Sequence, residues 1–465
     1  MMCQLSNNLS RDKIFIVNKS EISGRLDPKM ALYNQSVQHS SYPFVKLKSL
    51  LLSTPQYGAN EAGIIRDNNE QPRYIRITDI DENGLISPDE LGATVANLDD
   101  KYILNENDIV IARSGATVGK AYIHKNLPYT CVYAGYLIRF IADSKKILPD
   151  YLFAYTQLNT YKEWINAIQR PSAQPNINAE EYQSLEIPLP NLSKQQEVVD
   201  CIKEAYAQKR AKEAEAQQLL DSIDNYLLKE LGITIPKIKT GLANRMFIVQ
   251  KKNLKGRYTP GIYKDAITLY STIYDNIPLS HLAYINPDTR LPYQNKEMQI
   301  SFVPMESVNE IYAEITEHKD CIIEDSKGFT RFQEGDLLWA KITPCMENGK
   351  SAIAKDLING YGCGSTEFHV IRPKNSDLLV EYILSLLHTR IVRQTAKLYF
   401  GGSAGQQRVA NDFLESFNVP LPSKTKQQEI VDYISNIRTR AKALQAEGKA
   451  ILEDAKRKVE EMIIG

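Results

Sequence analysis

The sequence has few cysteines, no long apolar run and no recognisable metal-binding spacing. Its six cysteines form no Cys-x-x-Cys pair and have no histidine spacing suited to zinc, so we expect reduced thiols and neither a disulfide framework nor a metal site. No stretch approaches the roughly eighteen apolar residues of a membrane span, and no basic segment followed by an apolar one begins the chain. These absences predict a soluble cytoplasmic protein that makes no membrane contact.

The chain also lacks net charge. Lysine plus arginine and aspartate plus glutamate each total 56 among the 465 residues. No overall field therefore draws the protein to a polyanion, and the total charge gives no support for nucleic-acid binding. Any basic surface must be local.

One sequence pattern is present twice. Residues 187–200 have the sequence Ile-Pro-Leu-Pro-x3-Lys-Gln-Gln-Glu-Val-Val-Asp, and residues 419–432 have Val-Pro-Leu-Pro-x3-Lys-Gln-Gln-Glu-Ile-Val-Asp. The same offset of 232 residues relates 15–28 to 247–260. Solenoid repeats have periods of about 20–50 residues, so this longer period predicts a duplicated domain. A duplicated domain suits a partner with approximate two-fold symmetry, and duplex DNA is the commonest.

Each copy divides into a mixed α and β domain and a long helix. In the first copy, short apolar runs between turn residues predict strands near 74–77, 108–112 and 136–140. Helical spacing of apolar residues follows over 149–168. We predict domains at 1–190 and 236–420, and long helices at 191–235 and 421–465.

The two long helices carry apolar stripes. The first has no Pro or Gly before Gly232, which is placed to end it, and Ser193 with Gln196 predicts a capping box at its start. Because each stripe needs a partner, we expect the helices to pair as an antiparallel coiled coil with pseudo-two-fold symmetry. Lys209 and Lys212 interrupt the first stripe, which leaves open the alternative that each helix packs on its own domain.

The second stripe contains one glycine. Gly448 lies well inside the helix that runs to the end of the sequence. Glycine in a helix interior costs about 1 kcal/mol relative to alanine. We therefore expect Gly448 to weaken this helix.

A loop with a Gly-Lys pair follows a predicted strand in each copy. The first, at 113–121, resembles a P-loop, but only three residues separate its glycines and Ala121 replaces the hydroxyl residue that would reach Mg²⁺. The second, at 340–351, has Pro344 where the first glycine belongs, so neither loop predicts nucleotide binding. Both place a cation, a hydroxyl and Gly-Lys together, which suits DNA phosphates and base edges; the alternative is a glycine-rich turn with a solvated lysine. The candidate DNA-binding residues here are Arg113, Ser114, Thr117, Lys120, Lys341, Thr343 and Lys350.

A polar segment precedes each long helix. These segments, at 170–178 and 401–408, are rich in Arg, Asn and Gln, the side chains that pair with guanine and adenine edges in the major groove. A surface loop that caps the helix start is the alternative. The candidate DNA-binding residues here are Arg170, Gln174, Asn176, Gln406, Gln407 and Arg408.

The sequence offers no catalytic constellation. Asp89 with Asp99 and Lys101 forms a loose nuclease-like pattern, but it has no counterpart in the second copy and fits a turn better. The Asn-Pro-Pro-aromatic signature of amino-group DNA methyltransferases is absent, because Asp288 follows Asn286-Pro287. We therefore expect no catalytic residue, no metal and no cofactor.

Taken together, these motifs resemble the specificity subunit of type I restriction-modification systems over nearly the whole chain. The resemblance rests on the repeated Gly-Arg-x-x-Pro, the loop at 113–120, Gly-Ser-Thr-Glu-Phe-His-Val-Ile-Arg-Pro at 364–373, Ala-Gly-Gln-Gln-Arg-Val at 404–409 and both Pro-Leu-Pro…Gln-Gln-Glu helix starts. It implies an α+β fold of two tandem target-recognition domains, each followed by a long helix. Each domain would read one half of a bipartite double-stranded DNA site, and the coiled coil would set the unread spacer.

The resemblance also implies partners that perform the chemistry. Two modification subunits would methylate DNA using S-adenosylmethionine, and restriction subunits would translocate and cleave it using ATP. This chain would be non-catalytic, and its partners could supply much of the DNA clamp. Two alternatives stay open: a coiled-coil scaffold that never contacts DNA, and a self-contained DNA methyltransferase or nuclease.

Overall fold

The structure is a computed structural model that describes residues 28–37, 40–87, 91–169, 175–235, 269–292, 295–402 and 406–465. The chain forms two compact units, one from Met1–Lys212 with Ala446–Gly465 and the other from Glu213–Gln445. Each unit therefore contains a mixed α and β domain and a segment of both long helices. The domain boundaries predicted from the sequence rest on changes in residue pattern, whereas these units rest on spatial contacts. The predicted boundaries therefore stay predictions.

The first unit begins with the following elements. Its helices are α1 (Pro28–Ser36), α2 (Pro149–Tyr155), α3 (Asn159–Ile168), α4 (Ala179–Gln183) and the start of α5 (Leu192–Glu230). Its strands are β1 (Phe44–Lys46), β2 (Gln56–Tyr57), β3 (Ile64–Ile65), β4 (Arg73–Ile75), β5 (Ala93–Thr94), β6 (Ile109–Ala112), β7 (Ala121–Ile123), β8 (Cys131–Tyr133), β9 (Leu137–Phe140) and β10 (Glu186–Pro188).

The second unit continues from the end of α5. Its helices are α6 (Leu279–Leu282), α7 (Cys345–Asn348), α8 (Val380–His388), α9 (Arg390–Lys397), α10 (Asn411–Ser416) and the start of α11 (Lys424–Ile463). Its strands are β11 (Asn276–Pro278), β12 (Ala283–Ile285), β13 (Gln299–Val303), β14 (Val308–Asn309), β15 (Glu314–Ile315), β16 (Lys319–Ile322), β17 (Thr330–Gln333), β18 (Leu337–Ala340), β19 (Ser351–Ile353), β20 (Tyr361–Gly364), β21 (Phe368–Pro373), β22 (Phe400–Gly401), β23 (Arg408–Val409) and β24 (Asn418–Pro420).

The two units contain matching sheets. In the first unit, an antiparallel sheet has the order β2-β9-β6-β7, and a mixed sheet has the order β3-β5-β4-β8 with β4 parallel to β8. In the second unit, the corresponding orders are β12-β21-β18-β19 and β16-β13-β20-β17, with β13 parallel to β20. The antiparallel sheets have the same order. The mixed sheets share three strands, β5-β4-β8 and β16-β13-β20, and differ in the fourth, which lies beside β5 in the first unit and beside β20 in the second. The duplication read from the sequence therefore extends to most of the topology.

The central strands β6 and β18 are buried along their whole length. Their sequences, Ile-Val-Ile-Ala and Leu-Leu-Trp-Ala, are uninterrupted apolar runs rather than alternating ones. A strand covered on both faces requires this pattern, because side chains on each face enter a core. Both strands consequently hold the loops that follow them in a fixed place.

A buried glutamine explains the repeated Lys-Gln-Gln-Glu. Gln195 is fully buried; its Oε1 accepts from the Leu148 N–H at 2.8 Å, and its Nε2 donates to the carbonyls of Pro190 at 2.9 Å and Lys146 at 3.2 Å. In the second unit Gln427 makes the same three bonds, with the Leu379 N–H at 2.9 Å and the carbonyls of Pro422 and Asp377. This side chain fastens each long helix to its own domain.

The cap of the first long helix lies two residues before the predicted one. Asn191 Oδ1 accepts from the Lys194 N–H at 2.9 Å, and Ser423 Oγ occupies the matching place before Lys426 at 3.4 Å. The prediction of Ser193 as the cap was wrong, because Asn191 offers the same chemistry one position before the first helical residue. The predicted end is confirmed, with Gly232 at a φ of 60° after Glu230.

In each unit the two long helices pack against each other in antiparallel order. In the first unit, Ile202 and Tyr206 share a hydrophobic cluster with Leu452 and Val459, and Lys212 pairs with Glu447 at 3.0 Å. This contact gives Lys212 a partner on the opposite helix, so the interruption of the stripe does not prevent pairing.

The second unit contains the same arrangement. Ala216 and Ala441 are fully buried in one cluster, and the rings of Tyr226 and Tyr433 stack with centroids 3.9 Å apart. Lys426 pairs with Glu230 at 2.7 Å. The predicted fold class, tandem mixed α and β domains each followed by a long helix that pairs with the other, is confirmed.

Candidate nucleic-acid surfaces

In the first unit, the loop after β6 is joined to the polar segment before the long helix. The Ile177 N–H donates to the Arg113 carbonyl at 2.8 Å, and the Gly115 N–H donates to the Pro175 carbonyl at 3.0 Å. Ser114 and Asn176 form an isolated antiparallel bridge. Two segments that the sequence proposes separately for DNA binding thus form one surface.

An arginine stacked on an aromatic ring lies at the edge of this surface. The Arg113 guanidinium carbon is 4.9 Å from the centroid of the Tyr57 ring, and the Tyr57 hydroxyl accepts from the Ala179 N–H at 3.1 Å. The buried Nε of Arg113 has no hydrogen-bond partner within the described residues. The stacking fixes the plane of the guanidinium, which is the geometry that bidentate recognition of guanine requires.

The remaining predicted residues of the first unit differ in exposure. Thr117 and Asn176 are exposed, whereas Ser114 is buried. The Lys120 ammonium donates to the Ile80 carbonyl, so it ties the loop to a neighbouring turn and retains two further donors. Arg170 and Gln174 lie outside the described residues.

The second unit joins its two predicted segments in the same way. The Val409 N–H donates to the Lys341 carbonyl at 2.9 Å, and the Thr343 N–H donates to the Gln407 carbonyl at 3.0 Å. Ile342 and Arg408 form the bridge that matches Ser114 and Asn176. Equivalent places on the two units therefore carry the candidate surfaces.

Arg408 forms an ion pair that the sequence did not predict. Its guanidinium donates to both oxygens of Glu367 at 2.7–3.1 Å, and its side chain remains 42% exposed. These hydrogen bonds from Arg408 lower the pKa of Glu367 below its ordinary value. The pair holds the guanidinium in one orientation while leaving it at the surface.

The other cations and hydroxyls of the second unit are partly occupied. The Lys350 ammonium donates to the carbonyls of Met305 at 3.1 Å and Val308 at 3.0 Å, in the manner of Lys120. Thr343 Oγ1 donates to Glu347. Gln406 is exposed and Gln407 is half-buried.

A neutral histidine supports this surface from below. His369 is 2% exposed; its Nε2 lies 2.9 Å from the Val409 carbonyl, and the Asn286 side-chain Nδ2 lies 3.1 Å from its Nδ1. A neutral ring protonated on Nε2 satisfies both contacts. Burial lowers the pKa of His369 to about 4, so the ring is uncharged at neutral pH.

The nuclease-like pattern does not assemble a site in the described residues. Asp99 pairs with Lys101 at 2.6 Å at the surface, and Asp89 lies outside the described residues. Across the described ranges, no cluster of three His, Cys, Asp or Glu side chains could hold a metal. Among the helices that the structure describes, none is long and apolar enough to cross a membrane.

Two contributors were missed by sequence reasoning. Tyr57 lies 56 residues before Arg113 on another strand, and only strand pairing reveals that it stacks on the guanidinium. Glu367 lies within the motif at 364–373, and a carboxylate beside a loop of cations is a signal for an ion pair.

A family model described as "Type I restriction modification DNA specificity domain" matches residues 62–221 and 288–453. These two matches cover more than half of the chain and fall once in each copy. The chain therefore belongs to the family of type I restriction modification DNA specificity domains. The family predicted from the motifs is confirmed.

Individual relatives match part of the chain. The specificity subunit of the type I restriction enzyme EcoEI from Escherichia coli is 37% identical over 189 residues, which is 40% of this chain and 31% of the relative. That of EcoAI, also from Escherichia coli, is 33% identical over 192 residues, again 40% of this chain and 31% of the relative. The matched region thus spans about a third of each relative's length.

Two solved structures align along most of the chain. One, from a study of complex assembly and conformational transition of the type I R-M system, has a TM-score of 0.49 at 15% identity and covers 90% of this chain and 96% of its own. The other, the HsdS subunit from Thermoanaerobacter tengcongensis, has a TM-score of 0.36 at 15% identity, with 90% and 95% covered.

Proposed function

We propose that this chain is the DNA sequence-specificity subunit of a type I restriction-modification complex. Each unit reads one half of a bipartite site in double-stranded DNA, and the paired long helices set the length of the spacer that is not read. The chain itself carries out no catalysis and binds no cofactor.

One observation carries this proposal. In both units the loop after a buried central strand is joined by backbone hydrogen bonds to the polar segment before the long helix, through Ser114 with Asn176 and Ile342 with Arg408. The scaffold is the same, but the side chains on it differ: Arg113 stacks on Tyr57, whereas Arg408 pairs with Glu367. A common scaffold with different polar side chains suits two surfaces that read different base sequences.

The predicted DNA-binding residues divide by their contacts. Arg113, Asn176, Lys341, Gln406 and Arg408 have side chains at the surface or only half-buried, and we assign base or phosphate contacts to them. Thr117 and Gln407 are further surface candidates, together with Arg170 and Gln174 outside the described ranges. Lys120 and Lys350 bond to carbonyls of neighbouring segments, Thr343 Oγ1 bonds to Glu347, and Ser114 is buried at its bridge to Asn176. We assign these four residues to holding the loops in shape.

The partners follow from the family. We propose that two modification subunits methylate the site and that restriction subunits cleave DNA, in the cytoplasm. The balanced charge of the chain, 56 cationic and 56 acidic side chains, fits an assembly in which partners supply much of the attraction for DNA phosphates.

The direct test is a map of methylated bases across the genome of a host that expresses the chain with its modification subunits. The control host expresses the modification subunits alone. The proposal predicts a split motif with a fixed gap that is present only with this chain. An assembled complex without any chain-dependent motif would contradict it and favour the scaffold alternative.

The spacer assignment has its own test. Removing two helical turns from each long helix, at matched positions, shortens them by about 10 Å. Because successive base pairs are about 3.4 Å apart, we expect the gap in the motif to shrink by about three base pairs while both half-sites stay the same. Assembly with an unchanged gap would contradict a ruler role.

A further inference from the structure

The second unit contains a polar cleft. Among the described DNA-binding residues that were predicted from the sequence, Lys341 alone lines it. The cleft has a volume of about 360 Å³ and is lined in part by Asn286, Asp288, Phe329 and Lys341. Lys341 also belongs to the candidate DNA surface, so the cleft is continuous with that surface. An inference about the cleft therefore rests on the proposed function.

The wall that carries Asp288 is anchored at its first residue. Asn286 adopts a left-handed backbone with a φ of 51°, which asparagine tolerates better than most residues. Its backbone N–H donates to the Val370 carbonyl at 2.7 Å, and its Oδ1 accepts from the Val370 N–H at 3.0 Å. Its Nδ2 lies 3.0 Å from Asn411 Oδ1. The segment thus leaves β12 in one fixed direction.

The same wall is anchored again further along. Thr289 is 4% exposed, and its Oγ1 accepts from Arg372 Nη2 at 2.8 Å. Arg372 is itself held by Asp336, which is buried, through two bonds of 2.7 Å. Leu291 is 4% exposed in a hydrophobic cluster. The segment 286–291 is therefore held at three places, Asn286, Thr289 and Leu291.

Two opposite charges project from between these anchors. The side chains of Asp288 and Arg290 are 87% and 92% exposed, and their closest polar atoms are 4.0 Å apart. An exposed pair at this distance contributes little to stability, because water screens it. Both side chains are thus available to a ligand, and the backbone that carries them is rigid.

The opposite side of the cleft supplies a cation and an apolar wall. Within the described residues, the Lys341 ammonium makes no hydrogen bond or ion pair. Phe329 is 42% exposed and packs edge-on against Phe302, with ring centroids 5.0 Å apart. A carboxylate, an ammonium and an aromatic edge therefore line one opening, and the Arg290 guanidinium projects beside Asp288.

This combination is specific in its chemistry. A carboxylate repels phosphates, so on a DNA-binding surface it is suited to accept hydrogen bonds from the amino groups of cytosine or adenine. A guanidinium two residues away is suited to the acceptors of guanine, and an ammonium is suited to a phosphate. Asp288 and Arg290 are exposed while Thr289 and Leu291 are buried, and their side chains approach to 4.0 Å, so both project on the same side.

We propose that the segment 286–291 reads base edges in the half-site of the second unit, with Asp288 and Arg290 as specificity-determining residues. Asp288 accepts from the amino group of cytosine or adenine, and Arg290 donates to guanine. Lys341 holds a phosphate that flanks these bases.

The test uses the assembled complex with its modification subunits. Asp288→Asn keeps the shape of the side chain but adds a donor, Arg290→Gln removes the charge, and Asp288→Glu keeps the carboxylate while moving it. Asp320→Asn, at an exposed position on β16 of the same unit, is the matched control. Each complex is checked for assembly by size-exclusion chromatography, and its methylated motif and its binding to duplexes with single base changes are measured.

We expect the preference for one or two positions of the second half-site to fall by about 10- to 100-fold in the Asn and Gln variants. The first half-site, the gap and the Asp320→Asn complex should match wild type. Assembled Asp288 and Arg290 variants that all keep the wild-type motif would overturn the inference and leave the proposed function intact. Absence of any chain-dependent motif in the wild-type complex would instead overturn the proposed function.

Discussion

The two units share the junction between domain and helix but differ in the surfaces that we assign to DNA. Gln195 and Gln427 are both fully buried and make the same three hydrogen bonds. By contrast, the cation after the central strand is Arg113 on an aromatic ring in one unit and Lys341 beside a cleft in the other. Attachment of the helices is therefore constant, whereas the polar surface varies.

A second comparison concerns the helix pair. In the first unit, Gly448 faces Lys209 across the helix pair. The offset of 232 residues makes these two positions equivalent to Ala216 and Ala441, which are buried in one cluster in the second unit. A Cβ on Gly448 would lie 3.3 Å from the Lys209 carbonyl oxygen and 3.4 Å from Lys212 Cβ. The glycine therefore lets the backbone of the facing helix approach closely at Lys209, and this close packing offsets its cost in helix propensity.

The largest predicted effect tests the shared junction. Gln195→Leu and Gln427→Leu should each lower the free energy of unfolding by about 3–5 kcal/mol, because three buried backbone groups lose their partner in each case. Urea titration followed by circular dichroism measures this loss. The exposed neighbours provide controls: Gln196→Leu and Gln428→Leu each lose one surface bond and should stay within about 0.5 kcal/mol of wild type. If the change from Gln to Leu left the free energy of unfolding unaltered in one unit and lowered it in the other, the two junctions would not be equivalent.

The helix pair provides the next prediction. Gly448→Leu should lower the free energy of unfolding by about 2 kcal/mol, since the new side chain must displace the backbone around Lys209. Ala450→Leu, at an exposed position of the same helix, serves as the control and should change stability by less than about 0.5 kcal/mol. If Gly448→Leu proved equally neutral in thermal unfolding, the close approach of the helices would be refuted.

A third prediction concerns how pH changes the stability of the second unit. His369 lies where the first unit has Ile138 in the equivalent strand pairing, and burial lowers its pKa to about 4 from the ordinary 6.5. Between these values the unfolded chain binds a proton that the folded one does not, so the second unit loses stability as pH falls through this window. The share of this loss that comes from His369 should reach about 2 kcal/mol at pH 5.

Denaturant titrations at pH 7 and pH 5 measure this dependence. His369→Gln should remove the part of the stability loss that comes from His369. His281→Gln, at an exposed position, should lose as much stability between pH 7 and pH 5 as wild type does. An unchanged pH dependence in His369→Gln would place the proton uptake elsewhere in the molecule.

Local sequence signals predicted most of the fold. The apolar runs near 108–112 and 136–140 correspond to β6 and β9, and the stripes correspond to α5 and α11. Gly232 ends the first long helix as predicted. These features depend on residues close together in the chain, where periodicity and turn chemistry decide the structure.

The side-chain contacts of the candidate surfaces could not be read in this way. Tyr57 meets Arg113, and Asn286 meets His369, only through strand pairings between distant segments. Gln195 looks like an ordinary polar residue at the start of a helix, and its burial depends on how the helix docks on the domain. Such contacts follow from tertiary register, which composition and spacing do not encode locally.

The central claim is that each unit reads its own half of one DNA site. We would map methylated bases in hosts that express complexes with Arg113→Ala or Lys341→Ala, each checked for assembly, beside wild type. The account predicts that Arg113→Ala weakens only one half of the motif and Lys341→Ala only the other, at a cost of about 1–3 kcal/mol for a lost base contact and less for a phosphate contact. Weakening of the same half by both variants, or of neither, would contradict it.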